Sequence, residues 1–386
     1  MKTPSAKHPA APTTQAADDA ARYASIKLGI DAHKDDYRVV RMVDGMRPQP
    51  AQRFRSVEAL LDFVAAQVRQ AREVHTCYEA GPLGYSLHRR LLALGARNIV
   101  VVPVCLDEAG KRVKTDSRDA LALCVKLDRH ATGNTSVFSV VSVPTEEQER
   151  ARTAGRERTE LVRTRTGAVA HVRSTFLYYG VNIDPAWWRN RPGRDALLAR
   201  YPEHLREVAR NWIAMIDAIS EKILELDARL KDEAPPRLPR YMGTLTAALI
   251  EREVRDWSNF RNRRQIASFT GLCPSVDSSG ARCFQGPVNK HGNPRLRTLL
   301  VELAWRIIRH QPASRVMRKW GPRLRNAPKG RRKQIAVAVA REFCVDWWRI
   351  RTGRCTAGDL GYDLGALFDA DSHDDTGCES GPDCAD

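Results

Sequence analysis

Between Ser25 and about Val143, short β-prone runs alternate with amphipathic helical stretches, and few folds accept that order. SIKLGID (25–31) and DYRVVRMVD (36–44) read as strands joined by a short polar turn, and Phe54 continues a third strand in a meander. SVEALLDFVAAQVRQAR (56–72) has an apolar helical stripe, with Ser56 placed to cap it. EVHTCYEA (73–80) reads as a strand, GPLGYSLHRRLLALG (81–95) as a helix and NIVVVPV (98–104) as a buried strand. A further helix runs from about Asp116 to His130. Two or three strands, then helix, strand, helix, strand, helix, predict an α/β unit with a mixed sheet flanked by helices.

The rest of the chain is mainly helical. From Glu146 to about Lys231 it is helix-like and rich in arginine, with a break near Gly180–Pro192. Apolar positions 212, 213, 216, 219, 223, 224 and 226 make a stripe along 205–231. A helical hairpin with a solvated face accounts for it, and its length also suits a dimerising coiled coil. APPRLP (234–239) reads as a linker, and 241–350 as a helical unit interrupted by a Gly/Ser/Pro-rich loop at 271–293. The expected division is a flexible arm (1–24), an α/β domain (25–145), a helical middle (146–233), a second helical domain (240–350) and an acidic, disordered tail (356–386).

Charge narrows the function. Lys and Arg number 63 against 46 Asp and Glu, a net +17. Nine acids and no Lys or Arg follow Arg354, so residues 1–354 carry +26. Such an excess points to a polyanionic partner. The longest apolar run, Ile99–Leu106, is broken by Pro103 and falls short of the ~20 residues of a membrane span. The first 25 residues lack an apolar signal core. Nine scattered cysteines without a CxxC argue against a zinc site or disulfide framework. A cytoplasmic protein without a membrane partner is expected.

Four carboxylates sit at the ends of buried elements. Asp31 closes IKLGI, Glu79 closes VHTCY, and Asp116 and Asp119 open a helix at i, i+3, on one face. Singly, each has a plainer reading: Asp116 as a helix cap, Glu79 as a solvated strand end. Together, four converging carboxylates repel unless they hold hard cations, and oxygen ligation suits Mg²⁺ or Mn²⁺. Two such ions ~3.5–4 Å apart polarise the attacking and leaving oxygens of a phosphodiester. Asp35, Asp36 and Asp107 read as surface turn residues. GIDAHKD (29–35) also invites comparison with sugar-kinase and actin-like ATPases, but Ala32-His33-Lys34 replaces the glycine their phosphate turn needs.

A second constellation lies in 271–305. Ser278-Ser279-Gly280 occupies a turn-prone loop, followed by Arg282, Lys290 and His291. Asn293 and Pro294 then open a helix that carries Arg295 and Arg297 in its first turn. A helix start of this kind favours phosphate. A serine here reads as an attacking nucleophile, a phosphate contact or a plain turn residue, and the residues alone favour the last two. Residues 315–333 hold nine cations around Trp320, and Trp347-Trp348 follow. Interleaved aromatics and cations suit nucleic acid, although tryptophan pairs more often pack inside proteins.

GIDAHKD, CYEAGPLGY (77–85) and RVKTDSRDAL (112–121) resemble the DEDD-type transposases of the insertion-sequence one-ten family. TLTAALIEREVRDWSNFRNRRQIASFTGLCP (244–274) and SSGARCFQGPVNKHGNPRLR (278–297) resemble that family's C-terminal transposase domain, over roughly 25–345 in all. Pilin-gene invertases are similar in the same regions. The resemblance implies an RNase H-like first domain of the Holliday-junction-resolvase type, with Asp31, Glu79, Asp116 and Asp119 as its metal-binding acids. It implies a serine nucleophile at Ser279, or failing that Ser278. Lys114, Arg118, Arg282, Lys290, Asn293, Arg295 and Arg297 would be the nucleic-acid contacts. The partners implied are double-stranded DNA at element ends and target, a guide noncoding RNA from the element, and further copies of the chain in dimers and tetramers. A junction-resolving nuclease using water, or a non-catalytic nucleic-acid binder, are the alternatives. Family members often carry a Gly-x-Gly turn ahead of the helix at 244, whereas Arg240-Tyr241-Met242-Gly243 keeps only the second glycine.

Overall fold

The fold was obtained as a computed structural model that describes residues 22–103, 116–279 and 282–364. Lys114, Asp107 and residues 1–21 and 365–386 lie outside the described residues. The chain divides into two compact units at Val143/Pro144. The helical middle and the second helical domain, separate in the sequence reading, both fall in the second unit.

The first unit is built on a five-stranded sheet. Its strands are β1 (Tyr23–Ala32), β2 (Tyr37–Val43), β3 (Gln52–Phe54), β4 (Ala71–Glu79) and β5 (Arg97–Val101), in the order β3-β2-β1-β4-β5. β1, β2 and β3 pair antiparallel as the meander expected from sequence, and β4 and β5 add parallel to β1. Helices α1 (Val57–Val68) and α2 (Ser86–Ala93) cover one face, and α3 (Asp116–Ala131) covers the other. The Ser56 hydroxyl caps α1 by accepting from Ala59 N at 3.1 Å.

Strand periodicity decides which side chains meet α3. Ile26, Leu28 and Ile30 of β1 join Val74 and Tyr78 of β4 in the core with α1 and α2. Successive residues face opposite ways, so Lys27, Gly29 and Asp31, with Cys77 and Glu79, face α3. Gly29 makes close packing of α3 possible, since a Cβ there would lie 2.3 Å from Cys124 N and 2.4 Å from Ala120 O. Cys124 donates to Lys27 O at 3.6 Å, and Lys27, 6% exposed, pairs with Asp128 at 3.1 Å. The helix is thus pinned along β1, with its first turn at the strand's carboxyl end.

In the second unit, α4 (Glu146–Tyr178), α5 (Arg191–Leu198) and α6 (Glu203–Lys231) form the expected helical hairpin. Thr145 and Gln148 build a capping box at the start of α4. Arg158 meets Asp227 and Arg165 meets Ser220 at 3.3 Å, so α4 and α6 run antiparallel. Ile216, Ile223 and Leu226 of the predicted stripe are buried, whereas Leu224 is 68% exposed.

Five helices complete the unit: α7 (Thr244–Val254), α8 (Arg263–Thr270), α9 (Pro294–His310), α10 (Arg315–Arg325) and α11 (Lys329–Arg351). The loop expected at 271–293 is instead a β-hairpin of β6 (Pro274–Ser279) and β7 (Arg282–Val288). Trp347 and Trp348 are buried, donating to Glu251 Oε1 at 2.9 Å and to Trp257 O at 3.2 Å. They are packing residues.

Residues 356–364, expected within a disordered tail, pack against this domain. Leu360 and Tyr362 are buried, and the Tyr362 hydroxyl donates to the fully buried Asp346 at 3.1 Å. Arg315 N donates to Leu360 O at 2.7 Å, and Gln311 binds both backbone groups of Asp363. Apolar burial explains the difference: Ala357, Leu360 and Tyr362 supply contacts that a count of acids overlooks.

Candidate active site

β1 and β4 end side by side, with Ile30 registered on Tyr78, so Asp31 and Glu79 reach the same sheet edge on the face that α3 covers. Asp116 and Asp119 stand in the first turn of α3. Donor atoms of Asp31, His33 and Asp116 all lie within 4.8 Å of one another. His33 Nε2 is 3.3 Å from Asp31 Oδ2 and 4.0 Å from Asp116 Oδ1.

The electrostatics fit an acid cluster. Burial raises the Asp31 pKa above the usual carboxylate range, and the charges of Asp116 and Asp119 raise it further, against the opposing influence of His33. Asp119 is therefore close enough to be felt at Asp31. Glu79 is half-buried at the neighbouring strand end. Two carboxylates and an imidazole within one coordination sphere suit a divalent cation, and like charges held together favour it. Asp31 is the partly shielded member, with 19% of its side chain exposed against 58% for His33 and 51% for Asp116.

His33 escaped the sequence reading, where it served only to argue against an ATPase loop. The signal was its place two residues after a strand-end acid, in a segment that turns back immediately: His33 N donates to Asp36 O at 2.9 Å. Asp35 is exposed, and Asp36 pairs with Arg53 at 2.8 Å, so both are turn residues as expected. Cys77 and Cys124 nearby are buried in the core, where burial pushes the Cys124 thiol up to about 11 and Cys77 well above its ordinary value.

In the second unit, Ser278 and Ser279 end β6, registered on Cys283 and Arg282 across the hairpin. The hairpin base is closed by backbone contact of Gly271 and Gly292, where a Cβ on Gly292 would lie 2.4 Å from Gly271 N. Asn289 N donates to Cys273 O and Asn293 N to Phe269 O, each at 2.9 Å. Asn293 caps α9 as expected, accepting from Arg295 N and Leu296 N at 3.0 and 3.1 Å. Its amide donates to the buried Glu253 at 2.7 Å, so the side chain is committed to the fold. Arg297 donates to Lys290 O at 3.1 Å, bracing the hairpin base. Lys290 is exposed in a left-handed conformation, φ 58°, and Arg118 is exposed in the first turn of α3.

Comparison with known proteins finds relatives of the chain. Residues 241–317 match the family model of the IS116/IS110/IS902 transposases. The chain is 30% identical over 304 residues to a putative transposase of Sinorhizobium fredii, y4rJ, covering 70% of this chain and 75% of that one. The chain belongs to the IS116/IS110/IS902 transposase family. A second putative transposase of S. fredii, y4qE, is 33% identical over 240 residues, 60% of this chain and 58% of that one. The transposase for insertion sequence element IS1533 of Leptospira borgpetersenii is 25% identical over 311 residues, 72% of this chain and 84% of that one.

The turn at 240–243 departs from the expected pair of glycines. Tyr241, at the position where the resemblance led us to expect the first glycine of a Gly-x-Gly turn, holds the left-handed conformation, φ 65°, and Gly243 follows at φ 75°. The Tyr241 ring stacks on His310 with centroids 3.8 Å apart, compensating a backbone that costs about 1–2 kcal/mol for a residue with a Cβ. No helix among the described residues is long and apolar enough to cross a membrane.

Proposed function

We propose that this transposase cuts and rejoins the DNA of an insertion sequence by site-specific recombination, with the acid cluster of the first unit and the serine hairpin of the second as its catalytic parts. The observation that carries this is the meeting of Asp31, His33 and Asp116 at the carboxyl edge of a mixed sheet, in a member of a transposase family. A meander followed by two parallel strands, with acids at the ends of β1 and β4, supports an RNase H-like reading of the first unit.

In this reading Asp31 and Asp116, with Glu79 and Asp119, hold Mg²⁺ or Mn²⁺, and His33 completes or orients the set. The bound cation supplies charge neutralisation at the scissile phosphate. Ser279, or Ser278 in its place, attacks phosphorus through Oγ, forms a phosphoserine bond and breaks the bond to the deoxyribose oxygen, which leaves as a hydroxyl after taking up, by way of solvent, the proton that the serine gives up. Attack by a hydroxyl from a different strand then frees the serine, so phosphodiester bonds are conserved. Duplex DNA at element ends and target, a guide noncoding RNA and further copies of the chain are the partners this proposal carries. Lys290, Arg295, Arg282, Arg118 and Lys114 would contact phosphates, while Arg297 and Asn293 hold the local backbone.

Trapping of a protein–DNA adduct tests the chemistry. Wild type should form an adduct with Mg²⁺, whereas Ser279→Ala and Asp119→Ala should form none and still bind DNA. Full recombination by either variant refutes the assignment. The exposed imidazole of His33 beside the acids favours one other reading, a nuclease in which water attacks; cleavage without any adduct would select it.

A further inference from the structure

The second unit displays a basic face that no acid among the described residues neutralises. No Asp or Glu occurs between Glu302 and Glu342. Within that interval Arg323, Arg325, Lys329, Arg331, Arg332 and Lys333 surround the short connection between α10 and α11, and all six side chains are exposed. Arg315 and Lys319, earlier on α10, are held by Asp346 and Glu342. The six around the connection have no carboxylate partner among the described residues. Arg332 donates only to the carbonyl of Ala327, and Arg323 lies over the Trp320 ring at 5.1 Å.

The chain itself carries a matching polyanion. Residues 365–386 contain seven acids, from Asp369 to Asp386, and no Lys or Arg. Their point of departure is fixed: Leu364 bridges to Pro239, Asp363 is clasped by Gln311, and Leu360 O accepts from Arg315 N at the first residue of α10. The last described residues before the acidic segment therefore lie at one end of the helix whose other end carries the cations.

We propose that residues 365–386 dock on the exposed cations around the α10–α11 connection of the same chain and compete there with nucleic acid. The reach is sufficient. An 11-residue helix is about 17 Å long, whereas a coil of 22 residues has an average end-to-end distance of about 25 Å. Tethering at that span gives a local concentration in the millimolar range. Opposite charges on facing sides then favour contact at low ionic strength and release at high. The docking stands on the chain's own charges; the competition rests on the nucleic-acid reading above.

Two measurements on the full-length protein decide the matter. Zero-length carbodiimide coupling of the free protein should join acids of 369–386 to Lys329 or Lys333 within one chain, and high salt should abolish the links. Links confined to other lysines, or none, overturn the docking. Binding of a random-sequence duplex is then compared with a variant whose seven acids are changed to Asn or Gln. The variant should bind at least about tenfold more tightly at low salt, with the ratio falling to one as salt rises. Removing Arg323, Arg325 and Lys329 should erase the ratio. Cross-links with a ratio of one overturn the competition and leave docking alone. If neither protein binds duplex, the nucleic-acid reading fails and the cross-links still decide the docking.

Discussion

The meeting of Asp31 with the first turn of α3 depends on Gly29, two residues earlier on the same face of β1, which lets α3 lie against the strand. An alanine Cβ there would meet backbone atoms of Cys124 and Ala120, which cannot rotate away. Gly29→Ala should therefore cost about 1–3 kcal/mol in chemical denaturation. It should also lower recombination beyond the loss of folded protein, because lifting α3 separates Asp116 and Asp119 from Asp31. Normal activity per folded molecule would show that the acids do not depend on this contact. Tyr241 offers a second residue-scale test. Tyr241→Ala keeps the left-handed strain and loses the ring stack on His310, whereas Tyr241→Gly relieves the strain. Melting temperatures should place alanine below glycine, by about 1–2 kcal/mol of stability. The positions of the four acids at strand ends and a helix start were legible in sequence because apolar runs punctuate those elements, and the structure brings the donor atoms of two of them, Asp31 and Asp116, together with His33. His33 was not legible, since it follows the strand and its pairing depends on where the turn folds back.

Elements show where pattern reading succeeds and where it stops. The apolar stripe of 205–231 located α6, since that signal lies within one helix, whereas the Thr145–Gln148 capping box that starts α4 went unread. The β6–β7 hairpin was read as a loop because glycine, serine and proline dominate it. The informative cue was Gly280-Ala281 between alternating residues, a turn pair that favours a hairpin. Between helices, the decisive contacts are charged pairs that no periodicity announces. Arg194, 10% exposed, grips Asp217 of α6 with hydrogen bonds of 2.9 and 2.8 Å. Those bonds hold the Asp217 carboxyl below its ordinary pKa. A carboxylate with a depressed folded pKa adds stability above its unfolded value near ~3.9 and loses it as pH falls toward the folded one. Arg194→Leu should thus cost about 1–3 kcal/mol near neutral pH, and the deficit should shrink under acid. Urea midpoints for both proteins from neutral to about pH 3 would measure this. A deficit that is constant with pH would mean that packing, not charge, is what Arg194 supplies.

For the whole molecule, two compact units imply two separable responses to metal. The first unit has its own apolar interior on both faces of the sheet, and the candidate cation ligands belong to it entirely. The composition predicted a polyanion binder of net +17, but bulk charge gives no hint that a cluster of acids is held inside it. That cluster is costly without a counterion, since the partly shielded Asp31 feels the like charges of Asp116 and Asp119. A cation that binds only the folded state stabilises it by about 2.7 kcal/mol at one hundred times its dissociation constant. Adding Mg²⁺ or Mn²⁺ should therefore raise the melting transition of the first unit and leave that of the second where it was. Asp31→Asn should respond oppositely on two counts. Without metal it should melt higher than wild type, because one of the repelling charges is gone, and with metal it should gain little. Calorimetry of the full chain, with intact and substituted proteins compared at low ionic strength, resolves both effects. Equal metal-induced shifts in the two proteins would place the cation elsewhere. A lower metal-free melting temperature for Asp31→Asn would mean that the carboxylate is held by His33 strongly enough to outweigh the repulsion, making the imidazole a structural partner of Asp31 before any cation arrives.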